Sequence, residues 1–138
     1  MISGNLTEVL KALNKAKEKQ IVQGKSIDFN RKILEHKKTY ALILNHKAEK
    51  DSLYERNSGL NHILCDIAKK NNITFILDLR EISGNNKQKA EIIGRIIQNI
   101  KLIKKSKNKL KIIGMNKHEA ASVLLVLGLP TDMVKTAV

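Results

Sequence analysis

The sequence predicts an α/β fold, with parallel strands joined by crossover helices, in a single domain spanning residues 1–138. Two observations predict it. Short apolar runs at 20–23, 40–44, 73–79 and 110–113 read as strands. Between them, apolar residues recur at the 3.6-residue spacing of amphipathic helices. Such alternation calls for a parallel sheet with crossover connections. Length bounds the size of that sheet. The 138 residues suit one domain with a real core, whereas a complete (β/α)8 barrel takes about 250. A barrel built from this chain is therefore partial or shortened.

Taken in order, Asn5 or Thr7 caps a first helix whose apolar stripe is Leu6, Val9, Leu10 and Leu13. A short strand at 20–23 ends at Gly24. Asp28 caps a second helix through Phe29, Ile33 and Leu34, which leads to the apolar run 40–44. Residues 47–59 form a polar connection, longer than most α/β loops. The next helix buries Leu60, Ile63, Leu64, Ile67 and Ala68, and enters the strand 73–79, which is tipped by Arg80 and Glu81.

A turn at Ser83-Gly84-Asn85-Asn86 precedes the longest helix, 88–105. Its stripe is Ile92, Ile93, Ile96, Ile97, Ile100 and Ile103, with Arg95, Lys101, Lys104 and Lys105 outside it. The fourth strand, 110–113, ends at Gly114. Asn116 and Glu119 stand in a capping-box arrangement before a helix buried through Val123, Leu124, Val126 and Leu127, with Gly128 as its C-cap. Pro130 opens a last short segment.

Lys and Arg number 26 against 13 Asp and Glu, a net charge of +13. The excess lies in the first 50 and last 38 residues, and the middle of the chain is nearly balanced. A basic excess of this size favours a polyanionic partner, most often nucleic acid, because neutralised phosphates release counterions. Trp is absent, and Phe29, Tyr40, Tyr54 and Phe75 are the only aromatics. Recognition then rests on phosphates and shape, as for structured RNA, rather than on base stacking. The single cysteine, Cys65, fits a reducing compartment. No apolar run approaches the roughly 18 residues that span a bilayer. The expectation is a cytoplasmic protein with no membrane contact.

No nucleophile elbow, P-loop or dinucleotide-binding glycine motif is present. The four histidines share no metal-ligand spacing. His62 and Asp66 stand at i and i+4 on one helix, and Asp78 near a strand end is a third candidate ligand. This is the residue set of a possible metal-dependent phosphoesterase. The competing reading makes His62 a first-turn polar residue and Asp66 a solvated charge. The chain reads first as a binder.

The stretch Arg56-Asn57-Ser58-Gly59-Leu60-Asn61-His62-Ile63-Leu64 resembles a segment of archaeal ribonuclease P protein component 3, the thirty-kilodalton subunit family. Asn72-Ile73, Leu79-Arg80 and Leu127-Gly128-Leu129 follow in the family's order, so the resemblance covers about 33–138. Residues 1–32 form a divergent N-terminal helix and possible strand. It departs after the fourth strand, where Gly114-Met115-Asn116-Lys117-His118-Glu119 replaces the family's pattern, and the family's chains are usually longer.

The resemblance implies a shortened TIM-like barrel in a ribonucleoprotein that removes 5′ leaders from precursor tRNA. There the RNA is the catalyst, with Mg2+ serving the RNA and no cofactor bound by the chain. The implied partners are RNase P RNA, protein component 2 and, indirectly, precursor tRNA. By carry-over, Arg56, Asn61, His62 and Arg80 lie at the RNA or partner face, joined by the helix cations Arg95, Lys101, Lys104 and Lys105. For Asn61 and His62 helix capping is the alternative role. The resemblance thus implies a subunit of an endonuclease holoenzyme, with no catalytic residue expected in the chain itself. A general basic RNA-binding scaffold is the further alternative.

Overall fold

A computed structural model describes residues 1–47 and 57–138. Most of the polar connection expected at 47–59, and Arg56 with it, lies outside the described residues. Four strands, β1 (Gln20–Gln23), β2 (Thr39–Ile43), β3 (Thr74–Asp78) and β4 (Leu110–Ile113), pair in parallel in the order β1-β2-β3-β4. Among the described residues six helices accompany them: α1 (Leu6–Lys15), α2 (Ile27–Leu34), α3 (His62–Lys70), α4 (Asn86–Ser106), α5 (Lys117–Val126) and α6 (Thr131–Ala137). The α/β prediction holds.

Sequential strand order has a geometric consequence. Parallel crossovers are nearly always right-handed, so strands added in one direction lay their helices on one face, as in a barrel. Burial follows that division. Leu42, Leu44, Phe75 and Leu77 join the helices in the main core, whereas the alternating Ala41, Ile43 and Ile76 form a small separate cluster with Ile21. The helix-free face is the one a closed barrel would turn inward. Here four strands form an open arc.

Both margins of the arc are dressed by the chain itself. At β1, Ile2 pairs as a single parallel bridge with Val22, its N–H donating to Ile21 O at 2.8 Å and its carbonyl accepting from Gln23 N at 2.9 Å. Ile2 and α1 therefore reproduce, in miniature, one more strand–helix unit. At β4, Lys111 Nζ donates to Thr136 O of α6 at 2.7 Å. The β1 edge backbone is thereby partly masked, and α6 packs beside the β4 edge, as unpaired edges require.

Asparagine starts most of the helices. The Asn5, Asn61, Asn85 and Asn116 side chains each accept the N–H three residues on, and Asn85 forms a reciprocal capping box with Gln88. Several expectations about caps, strand ends and helix faces need correction. Ser26, not Asp28, caps α2, because the helix begins at Ile27 and leaves Asp28 in a first turn that favours acids. The strand expected to run to Leu79 stops at Asp78, whose carboxylate accepts Arg80 N–H and starts a 3-10 turn, Leu79–Glu81. Ile63 is 44% exposed, and Cys65 takes its place against the core. Val126 is 86% exposed, since α5 reaches the core through Ala120 and Leu124 instead.

Candidate nucleic-acid interface

The carboxyl ends of the strands carry two layers, a buried polar network beneath a charged tip. In the network, His46 follows β2 and is almost wholly buried. Its Nδ1 lies 2.6 Å from Glu81 Oε2, and its backbone N–H donates to Glu81 Oε1 at 3.1 Å. Across the ring, Nε2 lies 2.9 Å from Asn99 Nδ2. The same amide nitrogen donates to Ser58 O at 2.9 Å, which requires a donor at that position. The ring proton is thus assigned to Nδ1, facing Glu81, with Nε2 accepting.

Arg95 is the largest correction at the site. Placed outside the apolar stripe by sequence, it is 6% exposed. Its Nη1 donates to His46 O at 2.7 Å. A guanidinium so engaged is an internal clamp on the segment after β2, not a free contact for phosphate. Gln98 Nε2 reaches Ser58 Oγ at 3.2 Å, and Asn30 Nδ2 donates to Gly59 O at 2.9 Å. Together α2 and α4 pin Ser58 and Gly59, in the segment that leads into α3. Buried amide donors engaged in this way favour one loop conformation.

The charged tip lies on β3 and its turn. Arg80 Nε and Nη2 both contact the Asp78 carboxylate, at 2.9 and 2.8 Å, and the guanidinium side remains largely exposed. Its hydrogen bonds hold the Asp78 carboxyl below its ordinary value. Gly114 of the neighbouring strand end packs on this pair at φ +86°, with no room for a Cβ: Asp78 Oδ1 would be 2.5 Å away. Beside the tip, Lys47 Nζ donates to Ser83 Oγ at 2.7 Å. Lys47, Ser83, Gly84, Gln88, Glu91 and Arg95 border a cleft of about 290 Å³.

The other predicted residues separate. Asn61 is the N-cap of α3, accepting Leu64 N–H at 2.9 Å, so its side chain is committed to the helix. His62 and Asp66 are exposed along α3. Asp78 is turned onto Arg80, and among the described residues no three His, Cys, Asp or Glu side chains are grouped as a metal site. The set His62, Asp66 and Asp78 does not converge. Lys101, Lys104 and Lys105 are exposed on α4, as expected. Residues that sequence reasoning passed over are His46, Glu81, Asn99, Ser58 and Asn30. The signal for Arg95 and Asn99 was present: both fall on the helical stripe of Ile92, Ile96, Ile100 and Ile103.

What the arrangement supports chemically is binding by fixed cations on a rigid scaffold. No protein-family model matches the sequence, and no curated protein does. Among solved structures, the fold is similar to a chain in a cryo-EM structure of archaeal ribonuclease P with mature tRNA, with a TM-score of 0.76 and 19% identity. The match covers 98% of this chain and 61% of that one, so this chain spans about three fifths of its length. Identity at this level establishes a shared fold. An open four-stranded arc that overlays most of its own length on a longer chain is consistent with a shortened barrel-like architecture. No helix among the described residues is long and apolar enough to cross a membrane.

Proposed function

We propose that this chain is a protein subunit of a ribonuclease P, of the component 3 type, that supports RNA-catalysed removal of 5′ leaders from precursor tRNA. The observation that carries the reading is the fold match over 98% of the chain to a chain in a structure of archaeal ribonuclease P with mature tRNA. The net charge of +13 agrees with it, because a subunit of an RNA enzyme must neutralise phosphate. The motif at 56–64 and Leu79-Arg80 agrees with it independently.

In this role the chain contributes shape and charge. RNase P RNA performs the cleavage with its Mg2+, and protein component 2 is the protein partner, both in the cytoplasm. Arg80 and the neighbouring Lys47 present cations at the strand ends, and Lys101, Lys104 and Lys105 present them along α4. Arg95, His46 and Glu81 hold the loop framework from inside. The Arg56 contact is proposed from the motif alone.

Reconstitution tests the reading. RNase P RNA with component 2 is assayed for precursor-tRNA cleavage with and without this chain. Enhanced cleavage, with no cleavage by the chain alone, is the expected result. Absence of enhancement, or failure to form a complex with component 2, overturns it. A general RNA-binding scaffold would instead bind unrelated folded RNAs as tightly as RNase P RNA in competition.

A further inference from the structure

At the opposite end of the sheet from Arg80, a groove of about 950 Å³ runs along the amino-terminal ends of the strands. Tyr40, Thr74 and Leu110 of β2, β3 and β4 contribute to it, and α6 borders it. Its charge is one-sided. Lys104, Lys107, Lys109 and Lys111 line it against one carboxylate, Asp132. Among the described residues none of these lysines makes an ion pair. Lys111 spends one donor on Thr136 O and keeps two, since an ammonium carries three.

Two further observations fall on the same groove. Tyr40, read from sequence as part of a buried strand, is 54% exposed here, and it is the residue skipped by a register irregularity at the start of the β1–β2 pairing. The two non-glycine residues of the described chain with positive φ, Asn72 and Lys107, both line it. Asn tolerates that conformation, whereas a lysine there is unfavourable at a helix end where glycine is the usual choice. Helix α5 does use glycine after its last turn, Gly128 at φ +103°. Helix α4 keeps Lys107 at φ +55° despite the strain, and the residue lines the groove.

We propose that this groove is a second RNA-contact face, taking the phosphodiester backbone of a structured RNA on Lys104, Lys107, Lys109 and Lys111, with Tyr40 stacking a splayed base. The proposal rests on the ribonuclease P reading for the identity of the RNA. Four amines spread along a groove match a phosphate chain better than a single small anion, which needs convergent donors. Exposed lysines at helix C-termini also offset the helix dipole, but that role leaves Lys109, Tyr40 and the strain at Lys107 unexplained. The strand-end cations and this groove would let one domain bridge two segments of a large RNA.

The test measures binding of the full chain to RNase P RNA across a salt series, with unlabelled duplex DNA as competitor. The variants are Lys107→Gly, Tyr40→Ala and the triple Lys107→Gly/Lys109→Ala/Lys111→Ala, which spares the Lys104 already assigned to the α4 face. Losing three phosphate contacts should flatten the log–log salt slope by roughly 2 and weaken binding about tenfold or more near physiological salt. Lys107→Gly alone should raise the thermal midpoint while weakening RNA binding, a combination that a purely structural role cannot produce. Tyr40→Ala should weaken RNA binding and leave the salt slope unchanged. An unaltered slope and affinity in the triple variant, with wild-type binding intact, overturns the groove and leaves the ribonuclease P reading standing. Equal competition by duplex DNA overturns the RNA assignment of the groove. Failure of the wild-type chain to bind RNase P RNA overturns the parent reading instead.

Discussion

His46 Nδ1 and Glu81 Oε2 lie 2.6 Å apart, tying the segment after β2 to the 3-10 turn after β3. The same carboxylate accepts the His46 backbone N–H, so one side chain closes two donors of a buried residue. Glu81→Ala would leave both without partners, and an orphaned buried donor costs about 1–3 kcal/mol. Expected is a loss of about 2 kcal/mol or more in urea unfolding. Glu81→Gln, which keeps an acceptor, should lose less. Equal stability of the alanine variant and the wild type would mean that the contact holds nothing.

Asn30 offers an isosteric test of the same framework. Its Nδ2 donates to Gly59 O at 2.9 Å and its Oδ1 accepts Lys25 N–H at 2.8 Å, all in a wholly buried position. Asn30→Asp preserves the acceptor and sets an oxygen against the Gly59 carbonyl. The expected cost is about 3 kcal/mol at neutral pH, because a donor is lost and a charge is buried. The loss should shrink as pH falls and the introduced carboxyl protonates. Thermal unfolding at pH 7 and pH 4 checks both the size and the trend.

These two residues also mark where sequence stopped being informative. Strand and helix order was legible because it rests on apolar period and on Asn and Gly punctuation, both local. Leu42 and Phe75 were placed in the core by their apolar runs and Ile100 by the helical period, and the structure buries them. His46, Glu81 and Asn30 pair across 29 or more residues, a relation that no local pattern encodes. Arg95 and Asn99 lay between these cases. Their spacing coincides with the buried stripe of α4, yet charge set Arg95 outside it in the sequence reading and Asn99 drew no notice, while a specific network buries both. Asn61 and Asp78 were noticed for their chemistry and turn out to be committed to local backbone, as a cap and a turn.

Cys65 should be inert in the folded state. Burial pushes its thiol from 9.0 up to about 11, with Asp66 adding to the effect and a Ser106 hydrogen bond opposing it. Thiolate is the reactive form, so reaction with a disulfide reagent at pH 8 should be slow natively and fast in denaturant. The sign for stability follows from linkage. The unfolded thiol ionises first, so stability falls as pH rises from about 9 toward 11, and Cys65→Ala should remove that alkaline decline. Rapid labelling of the native chain would contradict the burial.

The Asp78–Arg80 pair predicts the acid side. Hydrogen bonds from Arg80 lower the Asp78 carboxyl below its ordinary 3.8, so its contribution is present above that value and lost as pH falls through the lower folded one. Arg80→Ala should return the carboxyl toward 3.8, visible in an NMR titration, and should make acid unfolding begin at higher pH. Because Arg80 is exposed, the stability change at neutral pH should be small. An Asp78 titration unchanged by the substitution would mean that the bidentate contact does not persist in solution.

Gly114 tests whether the charged tip is packed or merely adjacent. At φ +86° it follows β4, and a Cβ there would lie 2.5 Å from Asp78 Oδ1 and 2.7 Å from Arg80 Cγ. Gly114→Ala therefore combines an unfavourable backbone region with a clash against a fixed ion pair. A loss of about 1–3 kcal/mol is expected, together with a rise in the Asp78 titration midpoint as the pair is pushed apart. Combining Gly114→Ala with Arg80→Ala separates the two causes. The flexible Arg80 contact disappears in the double variant, while the backbone strain and the Asp78 oxygen remain. The second substitution should then recover part of the stability lost, and failure to recover any would place the whole cost in the backbone at Gly114 and in Asp78.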